Sequence, residues 1–161
     1  MEKQEIIDKL KEKLNKEQEE IGMQVPFEEI DDSFYIKDHI VEKGHVSESA
    51  IKQMCSIVTE TFQAWVGYLH SIIMPNPQNL LNVGESKVFD NEEKKEITNL
   101  MKTAMEISSR NSLIGLKKDK KLQVEFLKDC LKIWNEKFCP SMIKIMEKVN
   151  KEWKEEVLEK K

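Results

Sequence analysis

The sequence is poor in residues that turn or break a chain. Its 161 residues include five Gly and four Pro, too few for the many turns of a β-sandwich or barrel. Arginine is nearly missing: Arg110 stands alone beside 25 lysines. Arginine is the usual choice for bidentate phosphate or carboxylate recognition, so a dedicated phosphate site is disfavoured. A Lys-rich surface composition accounts for the same bias. The three cysteines, Cys55, Cys130 and Cys139, are odd in number and form no CxxC. They exclude a disulfide framework and read as reduced thiols. No stretch approaches the ~18 apolar residues of a membrane span, and Met1–Lys13 has no apolar core of a secretory signal. These absences predict a cytoplasmic protein with no membrane contact. GxGxxG, GxxxxGKS/T and HExxH are missing, and no Ser or Cys nucleophile stands beside a base in a known local signature. No cofactor is therefore expected, and the reading leans away from catalysis.

What is present is charge and helical periodicity. Charged residues make up 35% and apolar residues 39% of the chain, with a net charge of −4. The charge is uneven. Residues 1–74 hold 8 Lys against 15 Asp/Glu, or −7; residues 75–161 hold 18 Lys/Arg against 15, or +3. This balance makes nucleic acid an unlikely partner, and opposite halves favour internal docking or antiparallel self-association.

Ile7, Leu10, Leu14 and Ile21 form a narrow apolar stripe on a first helix ending at Gly22, with Glu17 interrupting it. Met23–Asp32 reads as a connector containing Pro26, and Ser33–Lys43 as a short helix capped by Asp32 or Ser33. The strongest element follows. With Ser47 as N-cap, Ile51, Cys55, Val58, Phe62, Trp65, Leu69 and Ile72 keep an unbroken heptad seam up to Met74, before Pro75. A second apolar row beside it marks this as the central helix, ~40 Å long. Residues 75–90 read as a long loop pinned by Leu80, Leu81 and Val83. Asp90 with Glu93 resembles a capping box and opens a helix ending near Asn111 or at Gly115. Asp119 caps the next helix, which Pro140 breaks or kinks. A last helix carries Met142 to Val157. No strand alternation of convincing length appears. The predicted fold is all-α: a bundle of four to five long helices plus one short helix, mostly antiparallel. It forms one domain, 1–161, with 1–22 as a peripheral helix, 23–46 as connector and 47–161 as the body.

Five features invite a functional reading, each against a plainer one. The stripe Ile7, Leu10, Leu14 and Ile21 is a candidate interaction face for a homodimer or another protein; docking on its own bundle is the plainer outcome. Trp65, Tyr68 and His70 are a candidate apolar-ligand pocket, although aromatics at helical spacing more often form core. Residues 40–54 resemble a helix-turn-helix: helix, Gly44, inward Val46, then a Ser-capped helix. An ordinary helical corner fits better, since the second helix is far too long and Glu48 faces outward. His39, Glu42 and His45 lie close in sequence but in one copy only, which favours surface histidines over a metal site. The lysines at 117, 118, 120 and 121 read as a solvated turn. The reading that survives is a helical-bundle protein acting by protein–protein association. Its alternatives are a helix-turn-helix regulator and a small-ligand-binding bundle.

Overall fold

Side-chain caps set the starts of four helices, at Ser49, Asn79, Asp90 and Asp119. The computed structural model describes residues 2–159, so Met1, assigned above to the first helix, and residues 160 and 161 of the body lie outside the described residues. Nine α-helices and one π turn occur among the described residues: α1 Lys3–Ile21, α2 Phe27–Phe34, α3 Ile36–Lys43, α4 Ala50–Gln63, α5 Val66–Ile73, α6 Leu80–Ser86, α7 Asn91–Lys117, α8 Lys120–Ile133, the π turn Trp134–Phe138 and α9 Cys139–Glu159. The all-α expectation holds. Five helices are long, but four short ones replace the single one expected. No helix among the described residues is long and apolar enough to cross a membrane.

The Asp90–Glu93 capping box is present in both directions at the start of α7. Asp119 receives the Lys121 and Leu122 N–H groups. Asn79 caps α6 in the same manner, so the 75–90 segment contains a helix. Its pins differ from expectation. Leu80 and Leu81 are 83% and 64% exposed, whereas Ser86 and Phe89 are buried. The Ser86 hydroxyl donates to the Ile72 carbonyl at 2.6 Å, and this polar tie, with Phe89, holds the segment down.

Three further boundaries depart from the sequence reading. The connector and the 33–43 helix are replaced by two helices, the first starting at Phe27 inside the expected connector, because Tyr35 adopts φ 55° between them. Asp31 makes the corner: its carbonyl accepts the Tyr35 N–H at 2.8 Å and its carboxylate accepts the Lys37 N–H at 2.8 Å. The central helix starts at Ala50, with Ser49 and not Ser47 as cap, and breaks after Gln63. Trp65 there makes a tighter i→i−3 bond to the Phe62 carbonyl. Gly67, in the first turn of α5, lowers the cost of the bend because it contributes little helix propensity. Finally, α7 runs through Gly115 to Lys117 and stops where Lys118 takes φ 55°.

Pro140 does not end its helix. The Cys139 N–H reaches back five residues to the Trp134 carbonyl, and this wider turn accommodates a ring that clashes with the carbonyl of an ordinary α-turn. α8, the π turn and α9 thus run on as one bent rod, antiparallel to α7. The pairing is marked along its length by Arg110–Asp129 at 2.8 Å, Lys137–Thr103 at 3.2 Å and Lys148–Glu93 at 2.6 Å.

Against this hairpin lies α4. Ala50, Ile51, Gln53, Met54, Cys55, Ile57, Val58, Thr59 and Phe62 are all buried on it, so the central position read from two apolar rows is confirmed. Phe62 is the hub of an aromatic group, with its ring 5.0 Å from Phe138, 5.3 Å from Trp134 and 6.0 Å from Phe34. Edge-on geometry of the first two adds to the area buried. α1, α2 and α3 cover the remaining side of α4 and α8.

Candidate functional site

The first-helix stripe is turned into the molecule. Leu10 and Leu14 are buried, and Ile6 is buried where Ile7 was expected; Ile7 and Ile21 are half-buried. One face of α1 therefore already packs on the chain's own body. Glu17, the interruption in that stripe, is itself buried at 4% exposure. Its carboxylate accepts hydrogen bonds from the Ala50 and Ile51 N–H groups and from the Ser49 hydroxyl, and Lys120 Nζ lies 3.1 Å away. The first N–H groups of a helix have no partner within it and carry a positive dipole end. A carboxylate supplied from α1 satisfies both. Beside it Lys13 Nζ donates to the Val46 and Ser47 carbonyls, and Gln18 accepts the Val25 N–H at 2.7 Å. The C-terminal half of α1 is thus a polar clamp on the 45–51 turn. The sequence carried its signal, a Glu at a core position of an amphipathic stripe, but no sequence pattern names its partner.

The 40–54 segment has the local geometry of a tight corner: Gly44 at φ 79° and Val46 buried. Gln53 is buried and ties the turn by accepting the Ser47 N–H at 2.9 Å. α4 is enclosed on most sides, with Lys52 and Glu60 exposed and Ser56, Thr61 and Gln63 half-buried. A recognition helix needs a free face to enter a groove, and α4 spends its faces on the core.

Trp65 and Tyr68 lie together, edge to face at 6.2 Å, while His70 is exposed. The shallow depression beside Trp65 is lined by His39, Glu60, Thr61 and Ala64; neither Tyr68 nor His70 reaches it. Tyr68 serves another purpose. Its hydroxyl donates to Glu85 at 3.0 Å, and Trp153 Nε1 donates to the same carboxylate at 3.3 Å. Burial and the neighbouring Glu85 charge raise the Tyr68 pKa well above its ordinary value. Glu85 therefore fastens α5, α6 and α9 together, and the Trp153 ring lies where a Cβ on Gly84 would meet it at 3.4 Å.

Exposed apolar side chains lie on the three elements so joined or at their ends. Met74 closes α5, Leu80 and Leu81 open α6 one turn before Gly84, and Val157 and Leu158 follow Trp153 by one turn. All five are exposed, at 57% to 83%, among ten large hydrophobic residues left on the surface. The expectation that residues 75–90 are pinned by leucines concealed this region.

The histidines carry no visible chemistry. Among the described residues no three His, Cys, Asp or Glu side chains are grouped to hold a metal ion. Cys55 and Cys130 are buried and Cys139 is half-buried. Burial pushes the Cys55 thiol up to about 12 and raises Cys130 further in the same direction, so neither offers a thiolate nucleophile. Lys120, in the 117–121 lysine group, is committed to Glu17. No family model, no curated protein and no solved structure matches the chain.

Proposed function

We infer that this chain works by association with another polypeptide, with a second copy of itself as the first partner to test. One observation supports the reading: Met74, Leu80, Leu81, Val157 and Leu158 are exposed on or beside α5, α6 and α9, the elements that Glu85 ties together. A grouped set of exposed large apolar side chains marks contact surfaces more often than scattered ones do. Such a surface, already ordered, loses little conformational entropy on binding. The contact expected of the first helix passes to these side chains, because Leu10 and Leu14 are occupied inside the chain.

Sedimentation equilibrium over a wide concentration range tests this. The wild-type weight-average mass should rise above that of one chain, while Leu80→Asp with Leu81→Asp remains at one chain with an unchanged melting temperature. Wild-type protein that stays at the mass of one chain at its highest soluble concentration refutes self-association.

A further inference from the structure

α7 and α9 face each other with matched sets of side chains. On α7 they are Glu93, Glu96, Ile97 and Leu100; on α9 they are Ser141, Lys144, Ile145 and Lys148. Both sets follow i, i+3, i+4, i+7 spacing, which is one face of a helix. At one end the two walls are joined. Lys148 Nζ lies 2.6 and 2.7 Å from the two Glu93 oxygens and 5.3 Å over the Phe89 ring. One turn further, Glu96 and Lys144 are both exposed and no ion pair joins them. Between the walls, directly after the π turn and Pro140, lies a groove of about 210 Å³. Phe89, Ile97, Leu100 and Ile145 give it an apolar floor, all buried in the core.

We propose that this groove binds a small apolar zwitterion, a free α-amino acid with an aliphatic or aromatic side chain. The side chain lies on the floor, the ammonium faces Glu96, and the carboxylate faces Lys144 with the Ser141 hydroxyl available as a donor. Charge matching carries the choice. Glu93 and Lys148 neutralise each other, so among the described residues lining the groove Glu96 and Lys144 are the anion and cation outside an ion pair, on opposite walls. A neutral apolar ligand matches neither, and a simple carboxylic acid or amine matches one. The size fits as well. At ~30 Å³ per water in the liquid, the groove corresponds to about seven waters, well below the ~300–1,000 Å³ of drug-sized pockets. Because the rim charges are exposed and screened by salt, the affinity should be modest and should fall with ionic strength. The groove shares no residue with the exposed apolar set on α5, α6 and α9, so neither proposal depends on the other.

The test is a titration of isotope-labelled full-length chain with L-leucine and with L-phenylalanine, followed by amide chemical shifts. Saturable shifts should centre on residues 89–100 and 141–148. Glu96→Gln and Lys144→Met should each weaken binding about tenfold, the loss expected for one charge-assisted contact of about 1.4 kcal/mol. Both positions are exposed, and unchanged shifts elsewhere would show that each variant keeps the fold. N-acetyl-L-phenylalanine and L-phenylalanine amide, each lacking one charge, should bind the wild-type chain as weakly as the variants bind the free amino acid. Absence of saturable shifts at tens of millimolar overturns the proposal. So does acetylated or amidated phenylalanine binding as tightly as the free form, or binding that both variants leave unchanged.

Discussion

Glu17→Leu keeps the bulk of the side chain and removes its two oxygens, which isolates what the buried carboxylate contributes. Three donors lose their acceptor: the Ala50 and Ile51 N–H groups and the Ser49 hydroxyl. The hydroxyl can reorient, since its oxygen already caps Lys52. The two N–H groups are covered by α1 and cannot readily find water. A buried donor left unsatisfied costs about 1–3 kcal/mol, and bonds to a charged acceptor lie at the upper end. Lys120 adds little, because its side chain is 37% exposed and can turn to solvent, as exposed pairs contribute about 0–1 kcal/mol. The expected loss is about 3 kcal/mol, which lowers the melting temperature of a chain of this size by roughly 6–12 °C. Glu17→Gln retains one acceptor oxygen and should lose about half as much. Urea unfolding followed by far-UV circular dichroism gives the numbers. Lys120→Met should cost under about 1 kcal/mol. If Glu17→Leu costs less than Lys120→Met, the ion pair and not the helix cap is what the carboxylate supplies, and the reasoning fails.

Other outcomes follow from burial. Phe62→Ala, at a fully enclosed position, should cost about 3–5 kcal/mol, and Trp65→Ala clearly less, because Trp65 is only half-buried; equal losses in urea would refute the aromatic hub. Leu10→Asp with Leu14→Asp should unfold the chain instead of separating protomers, and circular dichroism of the variant decides between the two. In thiol titration of the native protein Cys139 should react first, with Cys55 and Cys130 reacting only as the chain opens; fast labelling of all three contradicts their burial. With the folded Cys55 pKa raised from 9.0 to about 12, the unfolded state loses this proton first on the alkaline side. Stability should therefore be complete below about pH 9 and decline as the pH rises towards 12, and a Cys55→Ala variant should show a shallower decline.

Much of this architecture is readable from the residues, where a local rule and the tertiary fold agree. Asp90 with Glu93, and Asp119, sit at the caps their chemistry demands, and two apolar rows place α4 at the centre. Readability fails where side chains distant in sequence decide. The heptad seam passes unbroken from Phe62 to Leu69, yet the helix breaks after Gln63, because apolar spacing does not report where the backbone shifts from i→i−4 to i→i−3 bonding. Ser47 and Ser49 are equal as local caps; the choice of Ser49 is made by Glu17, thirty-two residues away. Tyr35 at positive φ follows from the Asp31 corner, and nothing in a bulky aromatic announces it. Leu80 and Leu81 look like anchors in any hydropathy reading, and their exposure is visible only once Ser86 and Phe89 are seen to hold the segment. In the same way His70 shares a stretch of sequence with Trp65 and Tyr68 but no surface with them.

The turn between α7 and α8 has a kinetic meaning. Lys118 and Asp119 alone connect two helices that then pair along their length. Closing so short a connection costs little chain entropy, so this hairpin is the contact set available earliest to the folding chain. The bond from Glu17 to Lys120 lies at the other extreme, joining positions more than a hundred residues apart. Its formation must wait until α4 and α8 are side by side. The Glu17–Lys120 pair is therefore among the last contacts to form, whereas the bond from Ser49 to Glu17 spans only 32 residues and can cap α4 before α8 arrives.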